Sequence, residues 1–457
     1  MIDLLYSQNE LTISQYKQAV LENNEAIKGQ LENAKAQNLK AREANLITSL
    51  YFVSQFLYSD DEREKLQPSV MGSETVSRQY DFGFKQRTPF GQDWALTYQV
   101  QFIDIQNVII ANTTNYEAGP KLEIKQSLWR NFFGSEVRSQ QQLLKVKSEA
   151  SSSIESFNFN QSMRSIEDLY FGLAIAEKQI ELQKEGLERA KQIRDWAKGR
   201  KKRELGEESD YLQANAQVLS SELEWQKSQD QIREIRRKFN VMRNVEGDKV
   251  EQSLSLPSLK AVRALRAPAF REREDLQFQK HQATLAKLQA QLVKEQYRPE
   301  LEIFGQLNYV GRDREYGEAR SEGFARDHAW WVIGIKLSAP LDFWSISDVT
   351  RGTLIEAQTK EAFAEHYLLD QKQNWETLVD RLSNDKSRYE LAQKLEKSQL
   401  EKLTLEKERL KKGRTTTYQV LLFELDYLNA QLLTLDSLNE TLKTASELKL
   451  FDKSELL

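Results

Sequence analysis

The sequence of 457 residues contains no cysteine, only 7 prolines and only 18 glycines. Without cysteine the chain can form no disulfide, no thiolate metal site, no thiol nucleophile and no lipidated N-terminal cysteine. With so few prolines and glycines to interrupt them, long uninterrupted elements are expected. The longest apolar runs, such as 420–423, are far shorter than the roughly 18 to 20 residues that a spanning helix needs, so transmembrane helices are excluded.

Charge is abundant but evenly mixed, with 65 basic and 69 acidic residues and a net charge of -4. A nucleic-acid-binding protein would carry a basic excess on one stretch or face, so no nucleic-acid partner is predicted. Residues 1–9 lack the basic stretch and apolar core of a secretion signal. Either the protein is cytosolic, or the numbering is that of a mature chain.

Motifs of enzymes are missing as well. The sequence has no Walker A loop and no HExxH, GxSxG or GxGxxG motif. The three histidines, His281, His328 and His366, are far apart, and isolated histidines are more often surface or packing residues than metal ligands. We therefore predict no catalysis, no metal site and no cofactor.

Apolar residues at heptad spacing fill four stretches of the chain. They are Ile166, Leu173, Ile180 and Leu187; Val218, Trp225, Ile232 and Phe239; Leu368, Trp375, Leu382 and Tyr389; and Leu421, Leu428, Leu435 and Leu442. The first and third stretches, of about 60 residues, would form helices roughly 90 Å long. Each is followed by a stretch of about 35 residues, so the pattern predicts two helical hairpins.

The predicted turns of these hairpins contain Gly199 with Gly206, and Gly413, each beside a run of lysine and arginine. Two interpretations of the basic runs, 198–203 and 411–414, stay open. They complement the helix dipole and keep the helix ends solvated, or they form a docking surface for a partner.

Other segments alternate with a period of two, which is typical of strands with one apolar face. The apolar positions are Leu50, Phe52 and Phe56; Tyr80, Phe82 and Phe84; Trp94, Leu96, Tyr98, Val100 and Phe102; Leu122 and Ile124; Leu301, Ile303, Leu307 and Tyr309; and Trp331, Ile333, Ile335 and Leu337. The clearest runs of about 8 to 11 residues suit tilted strands that cross a bilayer. A soluble sandwich with one wet face is the alternative, but a small sheet between such long helices has little else to pack against.

The chain contains two copies of one plan. Residues 25–51 and 275–301 both read as a helix running into a strand, an offset of about 250 residues. The later pair Ile124-Lys125 and Ile335-Lys336 gives an offset of about 211, so the first copy carries about 40 extra residues. These residues contain two strands joined by the turn 88–92, which predicts an inserted hairpin at about 79–104.

The order of these elements resembles the TolC family of outer-membrane efflux proteins over essentially the whole chain. The motifs that carry the resemblance are LTISQYKQAVLENNE (11–25), GEESDYLQA (206–214), RPEL (298–301) and KLSAPL (336–341). The resemblance implies a mixed α and transmembrane β fold, in which a homotrimer shares one β-barrel and one long α-helical coiled-coil periplasmic tunnel. Each chain would give four strands as in the family, or six if the inserted hairpin joins the wall.

This plan divides the chain into seven segments. They are N-terminal helices (1–46), barrel strands with the insertion (47–130), tunnel helices (131–246), an equatorial linker (247–272), a helix of the second repeat (273–298), its barrel strands (299–342), and its tunnel helices with the C-terminal segment (343–457).

For function, the resemblance implies a passive exit duct of a tripartite efflux or type I secretion system in the bacterial outer membrane. Its partners would be a periplasmic adaptor (membrane fusion) protein, an inner-membrane pump and outer-membrane lipid. The alternative is a soluble coiled-coil scaffold or adaptor, which explains the helices but leaves the alternating aromatic strands without a role.

The resemblance also implies site residues. The periplasmic entrance would lie at the hairpin ends, and the family's acidic constriction would start about six residues after Gly413. Because Gln419 and Leu422 occupy those positions, an aspartate ring is in doubt, and Tyr418, Gln419 or Glu424 would constrict the pore instead. Asp210 does match the motif of the first repeat, although a helix cap or dipole partner explains it equally well.

Two further sets of residues complete the expected sites. Adaptor contacts are expected at the exposed hairpin ends, namely at Lys201, Arg203, Gly206, Gly413 and Arg414. An aromatic girdle at the membrane boundary is expected from Phe52, Phe56, Trp94, Tyr98, Phe102, Trp129, Tyr309, Trp330 and Trp331.

Overall fold

The computed structural model describes residues 10–106, 114–204, 206–325 and 329–452. The expectation for residues 1–9 and the position of His328 lie outside these ranges. The chain divides into two compact units. We call them the helical unit (Met1–Lys35, Ser153–Gln277 and His366–Leu457) and the sheet unit (Ala36–Ser152 and Phe278–Glu365). Among the described residues, no helix is both long enough and apolar enough to cross a membrane.

The helices and strands follow one another as two similar series. The helices are α1 (Ile13–Asn23), α2 (Glu25–Lys40), α3 (Glu43–Leu46), α4 (Pro68–Met71), α5 (Ser135–Lys202), α6 (Glu208–Met242), α7 (Leu259–Ala264), α8 (Glu274–Gln296), α9 (Tyr316–Glu322), α10 (Phe343–Lys411) and α11 (Thr417–Leu448). The strands are β1 (Glu10–Leu11), β2 (Leu50–Asp61), β3 (Glu74–Arg87), β4 (Gln92–Gln106), β5 (Thr114–Ser127), β6 (Ser253–Leu254), β7 (Glu300–Tyr309), β8 (Gly311–Asp313) and β9 (Ala329–Ser338).

The two long helices, α5 and α10, have 68 and 69 residues. At 1.5 Å per residue each is about 100 Å long, close to the length that the heptads predicted. The heptad residues Leu173, Ile232 and Leu382 are buried, because this spacing places them on one stripe of each helix. One expectation is wrong: Gly199 lies inside α5 rather than in the turn, since the helix continues to Lys202 and nothing lies within 4 Å of a Cβ at that position.

Aromatic residues from three helices form the core of one part of the helical unit. The Tyr16 ring stacks on Phe239 with 4.1 Å between centroids and 3° between planes, and Tyr170 lies 5.8 Å from Tyr16. All three side chains are fully buried. The Tyr16 hydroxyl donates to the Phe239 carbonyl at 3.2 Å, so burial leaves its polar atom satisfied.

Buried charge in the helical unit is paired. The Glu167 carboxylate is almost fully buried and forms ion pairs with Lys17 and, at 3.2 Å, with Lys449. Burial alone would raise the pKa of this carboxyl, but the two ammonium groups outweigh it, and the pKa of Glu167 lies below its ordinary value. The Asp275 carboxylate is likewise enclosed by Arg273, Tyr367 and Gln371.

The sheet unit contains one antiparallel sheet with the strand order β2-β3-β4-β5-β7-β9, and β8 extends it by pairing with β5. Strands β2 and β5 of the first copy correspond to β7 and β9 of the second. The hairpin β3–β4 is inserted between β2 and β5 and hydrogen-bonds to both. In the described residues each chain therefore has six main strands in one sheet, rather than four.

Candidate membrane-facing sheet and hairpin ends

One face of the sheet is apolar across its full width. The pairing register places six residues side by side on this face: Phe52, Phe84, Leu96, Leu122, Leu307 and Trp331. Many of these side chains are exposed to solvent in the single chain; the exposed fraction is 65% for Phe52 and 68% for Trp331. So large an exposed apolar surface indicates an interaction with lipid or protein.

The height of the apolar face fits a bilayer. On β2 the exposed apolar positions extend from Leu50 to Tyr58. At about 3.4 Å per residue and a tilt near 40°, eight steps rise about 21 Å. Outer-membrane barrels carry an apolar band about 25 Å tall, so the face has the dimension that a membrane requires.

The opposite face of the same sheet is mostly polar on strands β3, β4, β5 and β7, whereas the edge strands β2 and β9 place Tyr51, Val53, Leu57, Trp330 and Val332 on it as well. Gln55, Asp81 and Gln99 lie side by side on this face, and Lys121 lies on it opposite Thr97. Phe304 is an exception, and its ring lies over Gly334, where a Cβ would come within 2.3 Å of the ring. A sheet with one apolar and one polar face can separate lipid from a water-filled lumen.

The residues predicted for the girdle do not all share one face. Phe52, Phe56, Trp94 and Trp331 lie on the apolar face. Trp330 pairs with Asn308 and lies on the opposite face, because neighbouring residues of a strand point to opposite sides. Trp129 is half-exposed just beyond the end of β5.

Three more of the predicted aromatic residues, Tyr98, Phe102 and Tyr309, lie near the far end of the apolar face. Here the segment 316–324, which contains α9, covers part of the face. Phe324 stacks on Tyr98 with 6.0 Å between centroids, and Tyr316 contacts Tyr116. Sequence reasoning missed this aromatic cluster because α9 is short and polar, and only the fold brings it onto the strands.

The end of the second helical hairpin is closed by a helix-terminating motif. Gly413 has a φ of 66°, its N–H donates to Leu410, and the N–H of Arg414 donates to the Arg409 carbonyl at 2.9 Å. This Schellman pattern satisfies the last carbonyls of α10 and needs a residue without a Cβ penalty in the left-handed region. Helix α11 then starts at an N-cap, where the Thr416 side chain accepts from the backbone N–H of Gln419.

The end of the first hairpin has a different construction. Glu204, with a φ of 59°, occupies the left-handed position after α5. Lys201 forms an ion pair with Glu208 in the first turn of α6 and lies over the Tyr211 ring, with 5.4 Å from Nζ to the centroid. Arg203 is exposed and Gly206 is half-buried. The exposed basic residues of both ends are thus available to a partner.

The ends of the two hairpins pack on each other within the helical unit. A cluster of buried apolar residues draws on α5, α6, α10 and α11: Ile193, Ala197, Ala214, Leu403, Leu410, Val420 and Leu421. Tyr418 and Leu422 are exposed near this cluster, and so is Gln419. Asp210 lies in the first turn of α6, where the N-cap is Glu207 without a side-chain hydrogen bond. Its carboxylate therefore has the dipole position and not the cap position.

Glu424 differs from the other residues predicted at the entrance. Its carboxylate is buried, accepts from Arg189 Nε at 2.8 Å and forms an ion pair with Lys407. These contacts connect α5, α10 and α11. Of the residues predicted at the entrance, Tyr418, Gln419 and Leu422 are accordingly exposed, and Asp210 is half-buried.

The fold defines a class of protein that combines a helical hairpin unit with a two-faced antiparallel sheet, and solved structures of this class match nearly the whole chain. The CusC transmembrane channel matches with a TM-score of 0.67 and 13% identity, over 96% of this chain and 91% of that chain. The Campylobacter jejuni CmeC outer-membrane channel matches with a TM-score of 0.65 and 15% identity, over 97% of this chain and 87% of that chain. The outer-membrane protein VceC from Vibrio cholerae matches with a TM-score of 0.64 and 14% identity, over 96% of this chain and 95% of that chain.

No protein-family model matches the sequence, and no curated protein sequence matches it. At 13 to 15% identity the structural matches establish the fold. The chain has the TolC-like fold of long helices and antiparallel strands, as the resemblance predicted.

Proposed function

We propose that this protein is an outer-membrane channel, formed by three copies, that conducts substrates passively from an inner-membrane pump and its periplasmic adaptor to the cell exterior. The observation that carries the proposal is the two-faced sheet of a chain with the TolC-like fold. Its exposed apolar face requires a lipid environment, and its polar face is suited to line water. A soluble scaffold would leave that apolar face in contact with water at a large cost.

No step of this function is chemical. A passive channel needs a continuous water-filled path and a partner that supplies substrate, and the polar face and the exposed hairpin ends fit these two needs. We place the entrance at the hairpin ends, with Asp210, Tyr418, Gln419 and Leu422 nearest the path and Glu424 held in its ion cluster behind them. The resemblance to efflux and secretion channels supports this placement.

The proposal is tested by purifying the protein from membranes and measuring its assembly and conductance. We expect a monodisperse trimer that needs detergent and gives discrete ion currents in planar bilayers. A monomer that stays soluble without detergent, and that produces no current, would contradict the channel and favour the scaffold.

Adaptor docking is proposed at the exposed basic hairpin ends, which include Lys201, Arg203, Gly206, Gly413 and Arg414. The double variant Arg203→Glu and Arg414→Glu should abolish efflux and crosslinking to the adaptor while the trimer and its conductance remain. Arg237→Glu, an exposed arginine elsewhere on α6, is the matched control. Unchanged adaptor crosslinking in the double variant would remove these ends from the docking surface.

A further inference from the structure

The sheet has two open edges in the single chain. Strands β2 and β9 stand at the two ends of the strand order and have 12 and 10 residues. Within the described residues, neither strand has a partner on its outer side. Long open edges expose rows of unpaired backbone N–H and C=O groups, which have no water to bond in a bilayer.

The two edge strands run in opposite directions, as an antiparallel joint between copies requires. Every neighbouring pair along the strand order is antiparallel. Five antiparallel steps leave β2 and β9 running in opposite directions. When a second copy is related to the first by rotation about an axis along the sheet, its β2 therefore meets β9 as an antiparallel neighbour.

The faces of the two edges match as well. The apolar face includes Phe52 and Phe56 on β2 and Trp331, Ile333 and Ile335 on β9. These β9 side chains are among the most exposed apolar groups of the chain, with Ile335 at 71%. A joint shifted by one residue would turn these side chains into the lumen, so only every second register keeps both faces continuous.

The inserted hairpin belongs to the same sheet. Strands β3 and β4 hydrogen-bond to each other over 14 residue pairs and to both flanking strands. Their apolar residues Tyr80, Phe82 and Leu96 lie on the same face as those of β2 and β5. A hairpin that folded away from the wall would lose this continuity and would leave β2 and β5 without their present partners.

From these observations, and resting on the proposed trimeric channel, we infer that β2 of each copy pairs with β9 of the next copy and that the inserted hairpin stays in the wall, which closes a barrel of 18 strands. With strands about 4.8 Å apart and tilted near 40°, 18 strands give a backbone diameter of about 36 Å, against about 24 Å for 12 strands. The insertion thus widens the barrel by about half and lines the added wall with polar residues such as Gln79, Asp81 and Gln101.

Because the chain has no cysteine, disulfide crosslinking can test the joint without background. Single cysteines at Val53, Gln55 or Leu57 on β2 are each combined with Val332→Cys or Lys336→Cys on the same face of β9. At least one combination should give covalent dimers and trimers on a denaturing gel. Gln55→Cys combined with Ile333→Cys, whose side chains point to opposite faces, is the matched control and should give none.

A second measurement tests the hairpin in the intact channel. Single spin labels at residues 79 to 82 and at residue 84 should alternate, with labels at Tyr80, Phe82 and Phe84 accessible to oxygen in the lipid and labels at Gln79 and Asp81 accessible to a water-soluble nickel reagent. Uniform water accessibility would place the hairpin outside the wall.

The outcomes separate this inference from the proposed function. Trimers that conduct ions but show no β2–β9 crosslink, or no alternation in the hairpin, would overturn the 18-stranded barrel and leave the channel standing. A protein that forms neither trimers nor channels would overturn both.

Discussion

The helical unit and the sheet unit use aromatic residues in opposite ways. In the helical unit, Tyr16 and Phe239 are fully buried and stack on each other. In the sheet unit, Phe52 and Trp331 are about two-thirds exposed. A helical hairpin in water must bury its apolar stripe against its own neighbours, whereas a barrel strand presents its apolar residues to lipid. The comparison teaches that aromatic side chains pack within the chain in one unit, whereas in the other they are left for an external partner, which is lipid in the proposed channel.

The largest effect is expected at the aromatic core of the helical unit. Phe239→Ala removes the ring that stacks on Tyr16 and should lower the free energy of unfolding by about 3 to 5 kcal/mol. Denaturant unfolding in detergent, followed by tyrosine and tryptophan fluorescence, measures this loss. Phe56→Ala on the sheet should cost about 1 kcal/mol or less, because that ring is 56% exposed in the single chain and pairs with Tyr80. Equal costs at the two positions would break the comparison between the units.

The second effect concerns the two faces of the sheet. Tyr80→Lys places a charge on the apolar face and should lower barrel stability by about 2 to 4 kcal/mol. Gln79→Lys, one residue away on the polar face and close to Asp81, should be nearly neutral. Heat-resistance of the barrel on a denaturing gel, together with yield in the outer membrane, measures both variants. A neutral Tyr80→Lys would show that this face does not meet lipid.

The third effect tests how the helical unit tolerates buried charge. Glu167→Gln leaves Lys17 and Lys449 without their carboxylate partner and should lower the free energy of unfolding at pH 7 by about 1 to 3 kcal/mol. Because the pKa of Glu167 in the folded chain is below its ordinary value of 4.5, the carboxylate contributes stability above that value. This contribution is lost as the pH falls through the lowered pKa.

Unfolding curves of wild type and Glu167→Gln should therefore differ most near neutral pH and converge in acid. Glu224→Gln, which breaks an exposed pair with Lys227, is the control and should have little effect at any pH. A constant difference between wild type and Glu167→Gln down to pH 2 would show that the effect is not ionic.

The smallest effect distinguishes the two hairpin ends. Gly413→Ala introduces a Cβ at a φ of 66° and should cost about 1 kcal/mol. Glu204→Gly relieves the same strain at a φ of 59° in the first hairpin and should not destabilise it. Amide hydrogen exchange of the last turns of α5 and α10 measures both changes. Faster exchange in Glu204→Gly than in wild type would contradict this account of the ends.

Much of this architecture could be predicted from residue spacing alone. Heptads predicted the four long helices because a helix in water must carry its apolar residues on one stripe, and Leu173 and Leu382 are buried as that rule requires. Alternation with a period of two predicted the strands and the inserted hairpin. One expectation was wrong at a single residue: Gly199 stays helical because a lone glycine need not end a helix whose other residues favour it. Trp330 lies on the face opposite to that of Trp331, because successive side chains of a strand point to opposite sides of the sheet.

By itself, then, the sequence determined the element types, the repeat and the two-faced character of the strands, since each of these depends on the spacing of residues close together in the chain. Only the tertiary structure decided that the inserted hairpin lies between β2 and β5, that Phe324, just after α9, stacks on Tyr98 and that Glu424 is enclosed by Arg189 and Lys407. These features join residues up to 235 positions apart, and no local spacing records which distant side chains a fold brings together.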